Sequence, residues 1–174
     1  MGGGAVLTAF LNSTLLGQYH YQTSPKAKKG LFPKILVSDV KEIPIPQVKA
    51  LSSEQVKTTE HSVDELLILN TKFYDLKDKM KELLRIELGL EKLPTKLNNF
   101  YELSFDEVLK ISKAKLSLDK KSELMDFFTK QKEELQDLNN RIVALDQEID
   151  ELVYKIYGLT TEEIRVVEDF KKNA

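Results

Sequence analysis

Two long stretches of the chain repeat apolar residues at alternating steps of three and four, which is the pattern of a heptad seam. The first stretch is free of Gly and Pro, and its seam consists of Leu66, Leu69, Phe73, Leu76, Met80 and Leu83. The second seam consists of Phe128, Gln131, Leu135, Leu138, Ile142, Leu145, Ile149, Leu152 and Ile156. Because an apolar stripe must be buried, the two seams predict a long antiparallel helical hairpin that is coiled-coil-like, with residues 89–123 as its connection.

Local capping patterns predict where these and neighbouring helices begin and end. Ser53 and Ser62 are both candidate starts for the first long helix. Residues 104–107 and 160–163 each have a hydroxyl residue followed by Glu three positions later, which is a capping box and opens a helix. Gly158 follows the second seam and predicts its C-cap.

The first 50 residues have a different texture, with turn-forming residues between short apolar runs. Helical spacing predicts a helix over 5–16 that stops at Gly17. Residues 19–30 have no periodicity and predict a loop or an irregular strand. The β-branched and aromatic residues of 32–37 predict a strand, and the prolines of 43–46 predict an extended linker. The chain is therefore expected to be mainly α, with a small α/β part at its N-terminus.

The composition excludes several kinds of site, and the charge is unevenly distributed along the chain. The chain has no Cys and two His, which excludes a disulfide framework or a cysteine zinc site and favours a reducing cytoplasm. It has no apolar stretch long enough for a membrane span. The net charge is −2, but residues 1–57 hold seven lysines and three acids, a local balance of +4, and residues 58–174 a balance of −6.

The cationic N-terminal part permits two chemical hypotheses. In the first, Asp39 and Lys41 follow the predicted strand as in the D-x-K half of a magnesium nuclease. That site needs a second, upstream carboxylate, and no Asp or Glu precedes Asp39, so the sequence argues against it. In the second, the predicted loop contacts nucleic acid, since lysines bind phosphate and planar or amide groups lie near bases. Its candidates are Tyr19, His20, Tyr21, Gln22, Lys26, Lys28 and Lys29. An ordinary solvated lysine-rich loop is the alternative.

The acidic residues of the second long helix have no arrangement that indicates catalysis. Most of them are expected to line a solvated face, and no nucleophile lies beside a base. Asp150 and Tyr154 are four positions apart and share one face of the helix, which indicates a packing junction.

Four segments carry a resemblance to a known family. Residues 145–164, LDQEIDELVYKIYGLTTEEI, resemble the C-terminal signature of type IIG restriction-modification enzymes. Leu11–Leu16 resembles a helix of their specificity region. Phe32-Pro33 and residues 43–46 resemble the strand and the proline-containing exit of a TaqI-like C-terminal specificity domain, which also occurs in adenine-specific DNA methyltransferases.

The resemblance implies that the chain helps to choose the DNA sequence on which a parent methyltransferase acts. Residues 1–50 would be the C-terminal part of a target-recognition unit, an α/β remnant, and residues 51–174 a helical spacer with a short final helix. Tyr19, Tyr21 and Gln22 would lie near bases, whereas phosphate contacts would come from Lys26, Lys28, Lys29, Lys34 and Lys41. Expected partners are double-stranded DNA, a catalytic methyltransferase domain or subunit, and a second copy through the helices.

The resemblance does not imply catalysis by this chain. The N-P-P-Y type motif that holds a flipped adenine is absent, as is a glycine-rich turn for S-adenosylmethionine. S-adenosylmethionine and magnesium are therefore expected only in the parent enzyme, and no cofactor is expected here. The alternative function is a structural or assembly module that binds the catalytic domain or a second subunit and has no DNA affinity of its own.

Overall fold

The computed structural model describes residues 3–24 and 37–173, which form seven α-helices and no strand. The helices are α1 (Gly3–Asn12), α2 (Thr14–Thr23), α3 (Val37–Glu42), α4 (Ser53–Glu87), α5 (Phe105–Ser112), α6 (Leu118–Tyr157) and α7 (Thr161–Asn173). Single 3-10 turns occur at Val48–Ala50, Thr95–Leu97 and Phe100–Glu102. The expected mainly α class is confirmed.

The chain folds into two compact units, and each of the two long helices contributes to both. The terminal unit comprises Met1–Leu66 and Ala144–Ala174, and the middle unit comprises Leu67–Val143. The units are defined by contacts within the structure, not by function. The predicted division into a recognition part, 1–50, and a spacer, 51–174, therefore stays a prediction.

The middle unit contains the antiparallel part of the hairpin. Glu87 at the end of α4 pairs with Lys120 at the start of α6, with 3.5 Å between the carboxylate and the ammonium. The two helices therefore run in opposite directions, as the seams predict. The seam residues of the middle unit share one core with the connection between the helices. Its fully buried members include Leu84, Leu97, Phe100, Val108, Phe128 and Leu135.

The terminal unit has a second core, built mostly from the two ends of the chain. Val6, Phe10 and Leu16 pack with Val63 of α4 and with Ile149 and Val153 of α6. Ile43 and Ile45 lie against this core, and the Tyr157 hydroxyl donates a hydrogen bond to the Pro44 carbonyl at 2.9 Å. The stretch 43–47 is non-helical, as its prolines predict.

Most of the predicted helix ends are confirmed by their hydrogen bonds. Ser104 and Glu107 form a complete capping box at α5, and Thr160 and Glu163 form the same reciprocal pair at α7. Gly158 ends α6 with φ +68°, and the amide of Leu159 reaches back to the Tyr154 carbonyl. Of the two predicted starts of α4, Ser53 and Ser62, the structure shows Ser53 as the first residue. Ser52 and Gln55 form a capping box before it that was not among the predicted ones.

The helix ends predicted for the N-terminal part are wrong where the structure describes them. The single helix expected over 5–16 is two helices, α1 and α2, and the predicted stop at Gly17 lies inside α2, where its amide donates to the Ser13 carbonyl. Residues 19–23, the first part of the segment predicted as a loop or an irregular strand, continue this helix, and residues 25–30 of that segment lie outside the described residues. The strand expected over 32–37 lies almost wholly outside the described residues, and its last residue, Val37, begins helix α3. An α/β character is therefore absent from the described N-terminal residues.

Helix length and hydropathy also bear on membrane insertion. Within residues 3–24 and 37–173, no helix combines the length and the apolar character that crossing a bilayer requires.

Gly158, which directly follows α6, and Gly17, which lies within α2, predict opposite effects of a substitution by Ala. Gly158→Ala should lower the free energy of unfolding by about 1 kcal/mol, because a side chain is strained at a positive φ. Gly17→Ala should raise it by about 0.5–1 kcal/mol, because Gly17 is helical and no atom lies within 4 Å of the added methyl group. Urea unfolding followed by circular dichroism measures both changes, and equal effects of the two substitutions would contradict the assignment.

The capping boxes predict a loss of stability in acid. Hydrogen bonds from the backbone amide and hydroxyl of Ser104 lower the pKa of Glu107 below its ordinary 4.5, and the same groups of Thr160 lower the pKa of Glu163. Because these pKa values are lower in the folded chain, their contribution is complete above about pH 4.5 and is lost as pH falls through the folded values. Urea midpoints measured from pH 7 to 3 should fall less steeply in a Glu107→Gln, Glu163→Gln double variant.

Candidate nucleic-acid interface

Ser13 separates the first two helices and fixes where α2 begins. Its backbone is extended, with φ −68° and ψ 149°, and its hydroxyl accepts a hydrogen bond from the amide of Leu16. The same hydroxyl donates to the Phe10 carbonyl at 2.8 Å, at the end of α1. One buried serine therefore ends one helix and caps the next, and the chain changes direction between Asn12 and Thr14.

A carboxylate distant in sequence completes the cap of α2. Asp150, which is 5% exposed, accepts hydrogen bonds from the amide of Thr14 at 2.8 Å and from the Thr14 hydroxyl at 2.6 Å. The Lys171 ammonium donates to the same carboxylate at 3.1 Å. The negative charge lies at the N-terminus of α2, where the helix dipole stabilises an anion. Helices α6 and α7 thus hold the start of α2.

Tyr154 extends this polar cluster by one turn of α6. Its hydroxyl donates to Glu168 of α7 at 2.7 Å, and burial together with that hydrogen bond raises the pKa of Tyr154 above its usual value. The packing junction that Asp150 and Tyr154 predict from their spacing is confirmed by these contacts. Among the described residues, every buried side-chain nitrogen or oxygen has a hydrogen-bond partner. The cluster is therefore satisfied internally, and its geometry is that of a structural anchor.

The described candidate DNA-binding residues lie near the ends of α2 and α3. Tyr19 is half-buried on α2, and Gln22 and Lys41 are exposed on α2 and α3. Tyr21 is 44% exposed, and its ring packs on Phe170 of α7 with 5.3 Å between the centroids. His20 is half-buried in the same turn. The other candidates, Lys26, Lys28, Lys29 and Lys34, lie outside the described residues.

A side-chain hydrogen bond brings α2 and α3 together. The Ser24 hydroxyl, directly after α2, donates to the carboxylate of Asp39 at 3.0 Å. Tyr21 and Gln22 precede this bond by one helical turn, and Lys41 follows it by two residues. The end of α2 and helix α3 therefore lie side by side. The sequence contains no sign of this contact, because neither Ser24 nor Asp39 belongs to a capping pattern.

The same bond changes the interpretation of Asp39 and Lys41. The nuclease hypothesis requires Asp39 at the end of a strand, and Asp39 lies in helix α3, where its carboxylate accepts from Ser24 and Ser38. That strand-based interpretation of Asp39 is wrong. Within the described ranges, no group of three or more His, Asp or Glu residues is placed to hold a metal ion.

Comparison with known proteins places the long helices in a family. A family model described as a domain of unknown function, DUF8810, matches residues 52–153, which is more than half of the chain and covers α4, the connection and most of α6. Neither the curated proteins nor the solved structures contain a match to the chain.

The contacts of Asp150 predict a ranked series of stability losses. Asp150→Ala should lower the free energy of unfolding by about 1–3 kcal/mol, because it leaves the amide and hydroxyl of Thr14 without their acceptor. Lys171→Met should cost less than about 1 kcal/mol, because that side chain is 45% exposed and screened by water. Glu148→Ala, an exposed neighbour on α6, is the control and should be close to neutral. Urea unfolding tests the order, and a larger loss for Lys171→Met would contradict it.

Proposed function

The chain belongs to the family of the domain of unknown function DUF8810, and we propose that it is the DNA-specificity region of a restriction-modification adenine-specific DNA methyltransferase. Catalysis, S-adenosylmethionine and magnesium belong in this proposal to a parent enzyme in the cytoplasm. The chain supplies contacts to duplex DNA from its N-terminal part, and its helical hairpin acts as a spacer that binds the catalytic domain.

Two independent parts of the sequence support the proposal. The C-terminal signature over 145–164 and the N-terminal segments that resemble a specificity domain lie at opposite ends of the chain. The family match over 52–153 covers the region between the N-terminal segments and the end of α6. The residues proposed to contact DNA precede this match, so they are not part of the domain that defines the family.

The observation that carries the proposal is the hydrogen bond between Ser24 and Asp39. It brings the end of α2, with Tyr21 and Gln22, close to α3, with Lys41. Residues 25–38, between the bonded residues, hold four lysines and no acid. Aromatic, amide and ammonium groups are the types that contact bases and phosphates, and the charge of this stretch is unopposed in sequence. We propose that these residues together face the duplex.

A second candidate function follows from the apolar side chains that the middle unit exposes. Leu67, Ile68 and Tyr74 on α4 and Val143 on α6 are each about half exposed. A helical module that binds the catalytic domain would cover such side chains, and it would need no affinity for DNA. The two candidates differ in whether the chain alone binds duplex.

Duplex binding should be strongly dependent on salt if the lysines contact phosphate. Each phosphate contact contributes about −0.9 to the slope of log affinity against log salt concentration. Changing Lys26, Lys28 and Lys29 together to Glu should abolish binding, and changing them to Gln should reduce the slope by about 2.7. Fluorescence anisotropy with a labelled mixed-sequence duplex, titrated at several salt concentrations, measures both quantities.

The control for that experiment has the same change in charge at another place. Lys110, Lys115 and Lys130 are exposed in the middle unit, and their joint change to Glu alters the net charge equally. Binding should survive in this control with a small loss. If the wild-type chain binds no duplex even at low salt, DNA recognition by this chain is refuted and the assembly module is the better account. Equal losses in the two triple variants would point to nonspecific attraction.

A further inference from the structure

Three side chains of α2 share one face of that helix, and each contacts α6 or α7. Thr14, Gln18 and Tyr21 are spaced by four and three positions, which places them in one stripe. Thr14 donates both its amide and its hydroxyl to Asp150 of α6. The other two residues of the stripe contact α7.

The middle and the end of the stripe contact α7 in different ways. Gln18 is 8% exposed, and its amide nitrogen lies 3.5 Å from the Val166 carbonyl. One turn later, the ring of Tyr21 packs on the ring of Phe170 at an interplanar angle of 48°. Val166 and Phe170 are themselves one turn apart on α7. Helices α2 and α7 therefore meet along matched turns, from Gln18 to the last turn of α2.

We infer that Phe170 is a positioning residue for DNA recognition, and that α7 holds the DNA-facing end of α2 in place. This inference rests on the proposed function. Tyr21 and Gln22 lie in the last turn of α2, which is the turn that Phe170 contacts. A helix end otherwise frays, because its last carbonyl groups have no partner within the helix. The contact between the Phe170 and Tyr21 rings opposes this fraying and limits the positions that Tyr21 and Gln22 adopt.

The ring of Phe170 lies among charged side chains in the last part of α7. Around Phe170, α7 presents Asp169, Lys171 and Glu168, and the last two are bound to Asp150 and Tyr154. Lys171 and Phe170 are adjacent in sequence, so the same turn of α7 contacts both Asp150 and Tyr21. Loss of the ring should free the last turn of α2 and leave the Asp150 contacts intact.

The test compares three variants of the full chain with the wild type. Phe170→Ala removes the ring, Phe170→Tyr keeps it, and Val166→Ala is the matched control on the same face of α7, since Val166 contacts α2 through its carbonyl. Hydrogen exchange of the free chain reports whether α2 is held, with the amides of α4 as the measure of global folding. Duplex affinity and its dependence on salt are measured in parallel.

We expect the amides of the last turn of α2 to exchange faster only in Phe170→Ala, with α4 unchanged. That variant should bind duplex about tenfold more weakly. Its salt dependence should equal that of the wild type, because the lysines still contact phosphate. Phe170→Tyr should keep the exchange rates and the affinity of the wild type, because it keeps the ring. A loss of affinity in this variant as well would show that any change at position 170 disturbs binding.

Other outcomes overturn the inference in distinguishable ways. Unchanged exchange in α2 would show that Phe170 does not hold the helix, whatever the DNA result. Faster exchange with unchanged affinity would show that α2 is held but that its position does not matter for DNA. Faster exchange that extends into α4 would make Phe170 a residue of the fold in general. A wild-type chain that binds no duplex would refute the proposed function, and the recognition role of Phe170 with it.

Discussion

The carboxylate of Asp150 lies where three segments of the terminal unit meet. Burying a charge is unfavourable unless hydrogen-bond donors surround it, and Thr14 and Lys171 supply three of them from α2 and α7. Because each donor has a fixed direction, the carboxylate specifies where α2 starts and which face of α7 turns inward. The apolar core around Phe10 and Ile149 provides the burial, but apolar packing is not directional and permits other arrangements.

The middle unit is held together differently. Its core is apolar and aromatic, with the rings of Phe100, Phe105 and Phe128 in contact and few polar groups inside. Lys77 shows how a charge is accommodated there: its ammonium lies over the rings of Phe73 and Tyr101, and burial lowers its pKa. The aliphatic part of the Lys77 side chain lies in apolar surroundings, and its ammonium donates a hydrogen bond to the side chain of Asn99.

The sequence predicted the features whose cause is local and missed those whose cause is distant. The seam through Phe128, Leu135 and Ile149 is buried, since helix periodicity follows from neighbouring residues. The helix end predicted at Gly158 and the capping boxes predicted at Ser104 and Thr160 are confirmed for the same reason. By contrast, Gly17 failed as a stop signal, because α2 is stabilised by contacts with residues more than 130 positions away.

The candidate site follows the same division. Residue types alone indicated Tyr21, Gln22 and the lysines. Val37, the last residue of the predicted strand, instead begins helix α3, since β-propensity depends on residue type and does not register a distant contact such as the bond between Asp39 and Ser24. Ser24 had no signal in the sequence. Phe170 belongs to a periodic apolar set on α7, and only its partner across space, Tyr21, distinguishes it from an ordinary core residue.

The division of the two long helices between units affects the order in which the chain folds. All segments of the middle unit are consecutive, from Leu67 to Val143, whereas the terminal unit joins residues before 67 to residues after 143. During synthesis, the middle unit has all its contacts available as soon as Val143 leaves the ribosome. The contacts of helix α2 with Asp150 and with α7 form only after those residues have been synthesised. Until then its apolar face is accessible to chaperones.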